Sequence, residues 1–309
     1  GGLVGGWLAA LVLIPHFSLR VALAATGGVL ICIGTAWWLL SNTYKTATHV
    51  VILALLFPVV FFPVYFMPKL AQDIKVSGFP AKILYARNSS VGLIQVLDIP
   101  AIGIRSLLID GAVQGGTTRG VSAYPFTEYQ NFLSHRFQPQ AKSALLLGLG
   151  AGILANELVQ RGVEVTAVEL EPRVGEVARQ YFGLPDTVRL FYEDARTYLN
   201  RSSERYDIVF LDVFAAENTP WYMMTTEAIQ RIKKLLNQDG ILVINSLAWL
   251  NRDSPDVVRL ESALLGSFAD VRVFVSSFGE GEKGREVTNA VLVAGTKLVE
   301  TREPFPNRV

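Results

Sequence analysis

The feature that most constrains this chain is the junction at residues 144–152. There an apolar run, Ala144 to Leu147, is cut off by Gly148-Leu149-Gly150-Ala151-Gly152 and followed by a helical pattern. Glycines at that spacing let a backbone leave a strand, turn sharply and enter a helix whose first N–H groups stay open to a ligand. Such a turn can also be purely structural, so its surroundings decide its meaning. Strand-like runs recur at Glu164 to Glu169, Val188 to Phe191, Ile208 to Asp212 and Gly240 to Asn245, with helical segments between them. Continuous apolar strands alternating with helices predict an α/β fold, a Rossmann-like doubly wound parallel sheet buried on both faces. Val271 to Val275 and Val287 to Ala294 add strands at its far edge.

In sheets of this kind ligands bind beyond the carboxyl ends of the strands, so the residues just after each strand carry the chemistry. The second strand ends in Glu169, 17 residues past Gly152, and a carboxylate there can accept both hydroxyls of a ribose. The third is followed by Glu193-Asp194-Ala195-Arg196. Asp194 can reach an adenine amino group or cap the next helix, and both roles stay open. Gly148, Gly150 and Gly152, then Glu169, then Asp194 follow three successive strands, and together they predict a nucleoside site. The loop is GxGxG rather than the GxGxxG of dinucleotide enzymes, which favours S-adenosylmethionine or a relative of it, the class I type of this fold. The fourth strand ends in Asp212, where a sulfonium donor would meet its acceptor. It is the candidate base, with a local turn carboxylate as the alternative.

Upstream, the runs Lys82 to Arg87, Gly92 to Leu97 and Ile102 to Ile109 are separated by Asn-Ser-Ser, Pro100 and Asp110-Gly111. They predict a small antiparallel β unit. Before it the texture is different, for Arg20 and Lys45 are the only Lys, Arg, Asp or Glu ahead of Lys69. Ser18 to Leu40 is 23 residues, roughly 34 Å as a helix and enough to cross a bilayer core. His49 to Met67 is a second such run, kinked at Pro58 and Pro63, and Gly2 to Pro15 reads as the end of a third. Trp37, Trp38 and Tyr44 mark one interface. A secretory signal peptide is disfavoured, since there is no basic leader and no small-residue cleavage site. The expected organisation is therefore transmembrane helices over residues 1–68, a small β domain over 69–119 and a nucleotide-binding catalytic domain over 120–309. The Gly-Gly start suggests a piece of something longer. Arg20, Lys69, Lys75, Lys82 and Arg87 lie on one side and Lys45 on the other, which places the soluble part in the cytoplasm.

Composition narrows the function. Of 28 Lys and Arg, removing the two in the apolar region leaves 26 against 27 Asp and Glu, too even a balance for nucleic-acid binding. Cys32 is the only cysteine and His16, His49 and His135 are scattered, so no metal site is expected.

Several segments beyond these resemble the spermidine synthase family of polyamine aminopropyltransferases, and more closely its membrane-fused bacterial branch. Leu108-Ile109-Asp110-Gly111-Ala112-Val113-Gln114 is similar to the family's LDGVIQ, and Phe126-Thr127-Glu128-Tyr129-Gln130 to its DEFxYQE. Pro220 to Arg231 and Asn237 to Val243 resemble its PAESLFTEEFY helix and EDGILV strand start. The resemblance covers roughly residues 82–294. It implies a small β domain ahead of the Rossmann-like domain and transfer of an aminopropyl group from decarboxylated S-adenosylmethionine to a polyamine. It also implies an integral protein of a bacterial inner membrane. Glu169 would hold the donor ribose, Asp194 the adenine, and Asp212 would be the catalytic aspartate. Gln114, Tyr129 and Gln130 would border the donor and amine channel, with Tyr129 catalytic and Gln130 binding the amine. The family's GGGDGG loop has an Asp where this chain has Ala151, and its DSSDP has a second Asp for which Glu217 would substitute. Those departures keep two other readings open: a methyltransferase using intact S-adenosylmethionine, and an inactive membrane subunit retaining the fold. A homodimer or a partner in the bilayer is compatible with each.

Overall fold

The computed structural model describes residues 74–76, 78–213, 220–249, 255–275 and 287–301, with Gly27, Gly28 and Gly34 as isolated positions. Apart from those three glycines, the apolar runs expected to cross a membrane lie outside the described residues, as does Glu217. Among the described residues no helix is long and apolar enough to span a bilayer. The chain divides into two compact units, Gly1–Ile102 and Gly103–Val309.

In the first unit β1 (Ile74–Val76), β2 (Phe79–Ser89) and β3 (Gly92–Ile99) form antiparallel ladders, with a bulge in β2 between Ile83 and Tyr85. The second unit begins with β4 (Ile104–Ile109), β5 (Ala112–Thr118) and the short β6 (Val121–Ser122), also antiparallel. Asp110 and Gly111 turn between β4 and β5 with φ of 49° and 85°. Positive φ at both central positions is what a two-residue hairpin requires, and Asp-Gly supplies it at least cost. Strand β5 escapes the sequence reading because Gly115-Gly116 sits in its middle. Both glycines are there for space: a Cβ on Gly116 would lie 2.3 Å from the Arg105 carbonyl, and one on Gly115 3.1 Å from the Ala151 Cβ.

Helix α1 (Pro125–Phe137) leads into a seven-stranded sheet. Its strands are β7 (Ser143–Leu147), β8 (Glu164–Glu169), β9 (Arg189–Tyr192), β10 (Tyr206–Leu211), β11 (Leu236–Trp249), β12 (Asp270–Val275) and β13 (Val287–Gly295), in the order β12-β13-β11-β10-β7-β8-β9. Helices α2 (Ile153–Gln160), α3 (Pro172–Phe182), α4 (Ala195–Arg201), α5 (Thr226–Lys234) and α6 (Pro255–Leu265) connect them. The five strands from β9 to β11 are parallel, as expected. The far edge corrects the expectation of a wholly parallel sheet, since β13 runs antiparallel to both β11 and β12. In that register Val287 to Gly295 of β13 pair with β11 on one side and Ala290 to Gly295 with β12 on the other, and an antiparallel pairing of this kind needs no crossover helix. Leu145, Leu147, Val209, Leu211, Leu242 and Ile244 are almost wholly enclosed and form the centre of the core.

The amino end of the parallel strands is stitched by Asp207. Its Oδ2 accepts from the backbone N–H groups of Lys142 and Ser143 at 2.8 and 3.0 Å and from Ser143 Oγ at 3.2 Å, while Oδ1 accepts from Asn237 Nδ2 at 2.7 Å. Burial alone would raise this carboxyl, but the four donors outweigh it and hold it below the ordinary carboxylate range. A depressed folded value contributes stability above the unfolded carboxylate pKa and loses it as pH falls through the folded one. Asp207→Asn should therefore lower stability at neutral pH by about 1–2 kcal/mol. In chemical denaturation the gap between variant and wild type should close as the solution is acidified below pH ~4; a pH-independent gap would count against the assignment.

Candidate functional site

The glycine loop, Glu169, Asp194 and Asp212 all fall at the carboxyl ends of strands in the second unit. Strand β7 ends against both neighbours: Leu147 O accepts from Asp212 N and Gly148 N donates to Val168 O, each at 2.9 Å. Three positive-φ glycines then carry the chain into α2. A Cβ at Gly148 would lie 2.2 Å from the Asp212 carbonyl oxygen, and one at Gly150 2.6 Å from the Gln114 carbonyl oxygen. Gly152, at the helix N-cap, faces Leu184 and Ala178. The GxGxG spacing thus has a local cause, for the first two glycines admit a neighbouring backbone carbonyl and the third admits α3 and the turn after it. Gln114 is brought to the loop through that carbonyl, and its own Nε2 donates to Ala112 O at 3.3 Å. Ala151 is buried at 2% exposure.

Glu169 closes β8 with its side chain turned back on the loop. Its Oε2 accepts from Leu149 N at 3.2 Å and its Oε1 from Glu171 N at 3.0 Å. Burial raises this carboxyl above its ordinary value, against the pull of backbone N–H groups at Glu171, Leu149 and Leu170, and the Glu171 charge adds to the rise. Three backbone donors on two oxygens leave one lone pair of the carboxylate for a ligand hydroxyl.

Asp194 takes the capping role that the sequence left open. Its Oδ1 accepts from Thr197 N at 3.1 Å at the start of α4, and its Oδ2 from the Tyr222 hydroxyl at 3.0 Å. Burial and this bond to Asp194 raise the Tyr222 phenol.

At the end of β10, Asp212 Oδ2 accepts from Gln130 Nε2 and Oδ1 from Asn245 Nδ2, both at 2.9 Å. The residue as a whole keeps some exposure, but its carboxyl lies deep enough that burial raises it above the ordinary range, against the two amide bonds. Gln130 is fully enclosed, and its Oε1 has no hydrogen-bond partner. Strand β10 therefore carries two aspartates with opposite shifts: Asp207, saturated by four donors, and Asp212, held by two neutral amides.

The structure brings together Gln130 and Asp212, Gln114 and the glycine loop, and Glu169 and that same loop. Tyr129 is 39% exposed on α1 and contributes no hydrogen bond to the Asp212 carboxylate. Asn245 was missed, although a signal existed. Ile241 to Ile244 pair in parallel register with Ile208 to Leu211, so the next residue of each strand, Asn245 and Asp212, must be neighbours. Among the described residues no three His, Cys, Asp or Glu side chains are grouped to hold a metal ion.

With the geometry in place, three comparisons are informative. The N-terminal histidine N-methyltransferase of Emericella nidulans is 30% identical over 182 residues, covering 52% of this chain and 33% of that protein. The polyamine aminopropyltransferase of Vibrio vulnificus is 33% identical over 119 residues, covering 36% of this chain and 40% of that protein. The matched regions span only about a third of the length of such curated relatives. Among solved structures, spermidine synthase from Thermotoga maritima superposes with a TM-score of 0.57 at 18% identity, covering 71% of this chain and 74% of that one, which is a likeness of fold. The spermine/spermidine synthase domain matches residues 103–276, more than half of the 309 residues, and its start coincides with that of the second compact unit, Gly103–Val309. The chain belongs to the spermine/spermidine synthase family.

Proposed function

We propose that this chain transfers an aminopropyl group from decarboxylated S-adenosylmethionine, the family's donor, to a polyamine acceptor, with Asp212 as the base. The observation that carries the proposal is the Asp212 carboxylate, buried, held only by neutral donors, and next to the unpartnered Oε1 of Gln130. Two acceptors and, among the described residues, no cation acting on the carboxyl make a surrounding suited to a nitrogen rich in N–H. The acceptor ammonium, with a pKa near 10.4, must lose a proton before it can attack, at a cost of roughly 4–5 kcal/mol at pH 7. The freed nitrogen lone pair forms a bond to the methylene carbon on the sulfonium. The carbon–sulfur bond breaks with its electrons going to sulfur, which leaves a neutral thioether, methylthioadenosine, and the nitrogen's proton goes to Asp212. Glu169 holds the ribose and Asp194 the base edge of the nucleoside, while Gln114, Tyr129 and Gln130 border the donor and amine channel.

A second reading, transfer of a methyl group from intact S-adenosylmethionine, draws support from Ala151. This small, buried residue of the loop puts no negative charge against a donor carboxylate. The methyltransferase relative points the same way.

Steady-state kinetics separate the roles. Asp212→Asn should lower turnover by about two to four orders of magnitude and leave methylthioadenosine affinity near wild type. Glu169→Ala should weaken that affinity at least ~100-fold. An Asp212→Asn variant with unchanged turnover would remove Asp212 as the base.

The two apolar runs, Ser18 to Leu40 and His49 to Met67, fit a membrane anchor that crosses twice and leaves the catalytic unit in the cytoplasm, where S-adenosyl donors are made. In intact cells an engineered Asn42→Cys should react with an impermeant thiol reagent. Reaction only after permeabilisation would reverse the orientation.

A further inference from the structure

Asn245 is 1% exposed in β11 and spends its Nδ2 on Asp212 Oδ1 at 2.9 Å. A carboxamide enclosed within an apolar strand, directly after Ile241 to Ile244, which are all buried, is costly unless its hydrogen bonds are worth more than the space. Gln130 makes the matching bond to Oδ2 from α1, so each carboxylate oxygen is gripped by one amide from a different element.

We propose that Asn245 is a positioning residue for the reaction, which with Gln130 keeps Asp212 ionised and leaves one fixed lone pair on each oxygen for the substrate. The inference rests on Asp212 being the base. Amides suit this task better than a Lys or Arg would. A cationic partner would neutralise the charge that attracts an ammonium and would make the carboxylate too weak a base. An amide donor stabilises the charged form and adds no charge. Burial is the only influence pushing the other way; among the described residues no ionised side chain on α1, β7, β10 or β11 acts on this carboxyl. The oxygens can neither rotate away nor pair elsewhere, because the two grips come from separate elements.

The sign of the effect follows. Removing the Asn245 donor takes stabilisation from the charged form only, so the carboxyl should hold its proton to a higher pH. In the full-length chain, Asn245→Ala should move the acid limb of the kcat/KM profile upward by about one pH unit. It should lower kcat below that limb and leave methylthioadenosine affinity near wild type. Asn245→Ser, which retains a small donor and perturbs packing less, should shift the limb less. The carboxyl carbon of Asp212 can also be titrated directly by 13C NMR, without turnover, and should move in step. If that titration shifts while no form of the protein uses a polyamine, Asn245 has the proposed role and the aminopropyl reading is what fails. Titration curves of Asp212 that coincide in wild type and both variants would overturn the proposal.

Discussion

The site depends on one close approach, between the end of β7 and the end of β10. The backbone N–H of Asp212 donates to the Leu147 carbonyl, and the next residue, Gly148, passes so near the Asp212 carbonyl oxygen that any side chain there would collide with it. That contact sets the glycine turn and the candidate base side by side, each fixed by the central strands of a closely packed sheet. Rigid strands locate groups more finely than loops can. The spacing of the candidate site is therefore inherited from strand register.

The carboxyl groups around that contact are in tension with their surroundings. Asp212 and Glu169 are both pushed up by burial. A folded-state value above the unfolded one means that the fold bears no cost below the ordinary carboxylate range and loses stability as pH rises through the raised value. Both carboxyls therefore subtract from stability as pH rises, and hydroxyl or N–H groups donated to them would offset that loss. Asp207, on the same strand as Asp212, shows the opposite arrangement. It is saturated with donors, held low and structural, so burial alone does not distinguish the two; the number of donors does.

Most of the sheet was legible because its strands obey a simple rule: apolar runs bounded by polar residues, each closed by Gly, Glu or Asp where the ligand would sit. The expected Glu164 to Glu169 strand has the observed bounds, and the Asp110-Gly111 turn has the backbone its residues demand. What escaped has physical reasons too. Strand β5 hides behind Gly115-Gly116, which serve close packing rather than a turn. Helix α1 buries Thr127, Gln130, Asn131 and Ser134 beside only two apolar residues, Leu133 and Phe137, so its inner face is largely polar and its apolar stripe is weak. That polar face includes the residue that grips Asp212. The antiparallel course of β13 is a matter of strand direction, which an apolar pattern does not reveal. Asn245 was within reach had the two strand ends been aligned.

The central claim is that the carboxyl ends of these strands serve an aminopropyl donor and an amine. Its most direct measurement is the mass of the acceptor after reaction, with decarboxylated and intact S-adenosylmethionine supplied in parallel to the same protein and a set of polyamines. The account predicts an acceptor heavier by one aminopropyl group, formed only with the decarboxylated donor and together with an equal amount of methylthioadenosine. An acceptor heavier by one methyl group, formed with the intact donor alone, would contradict it.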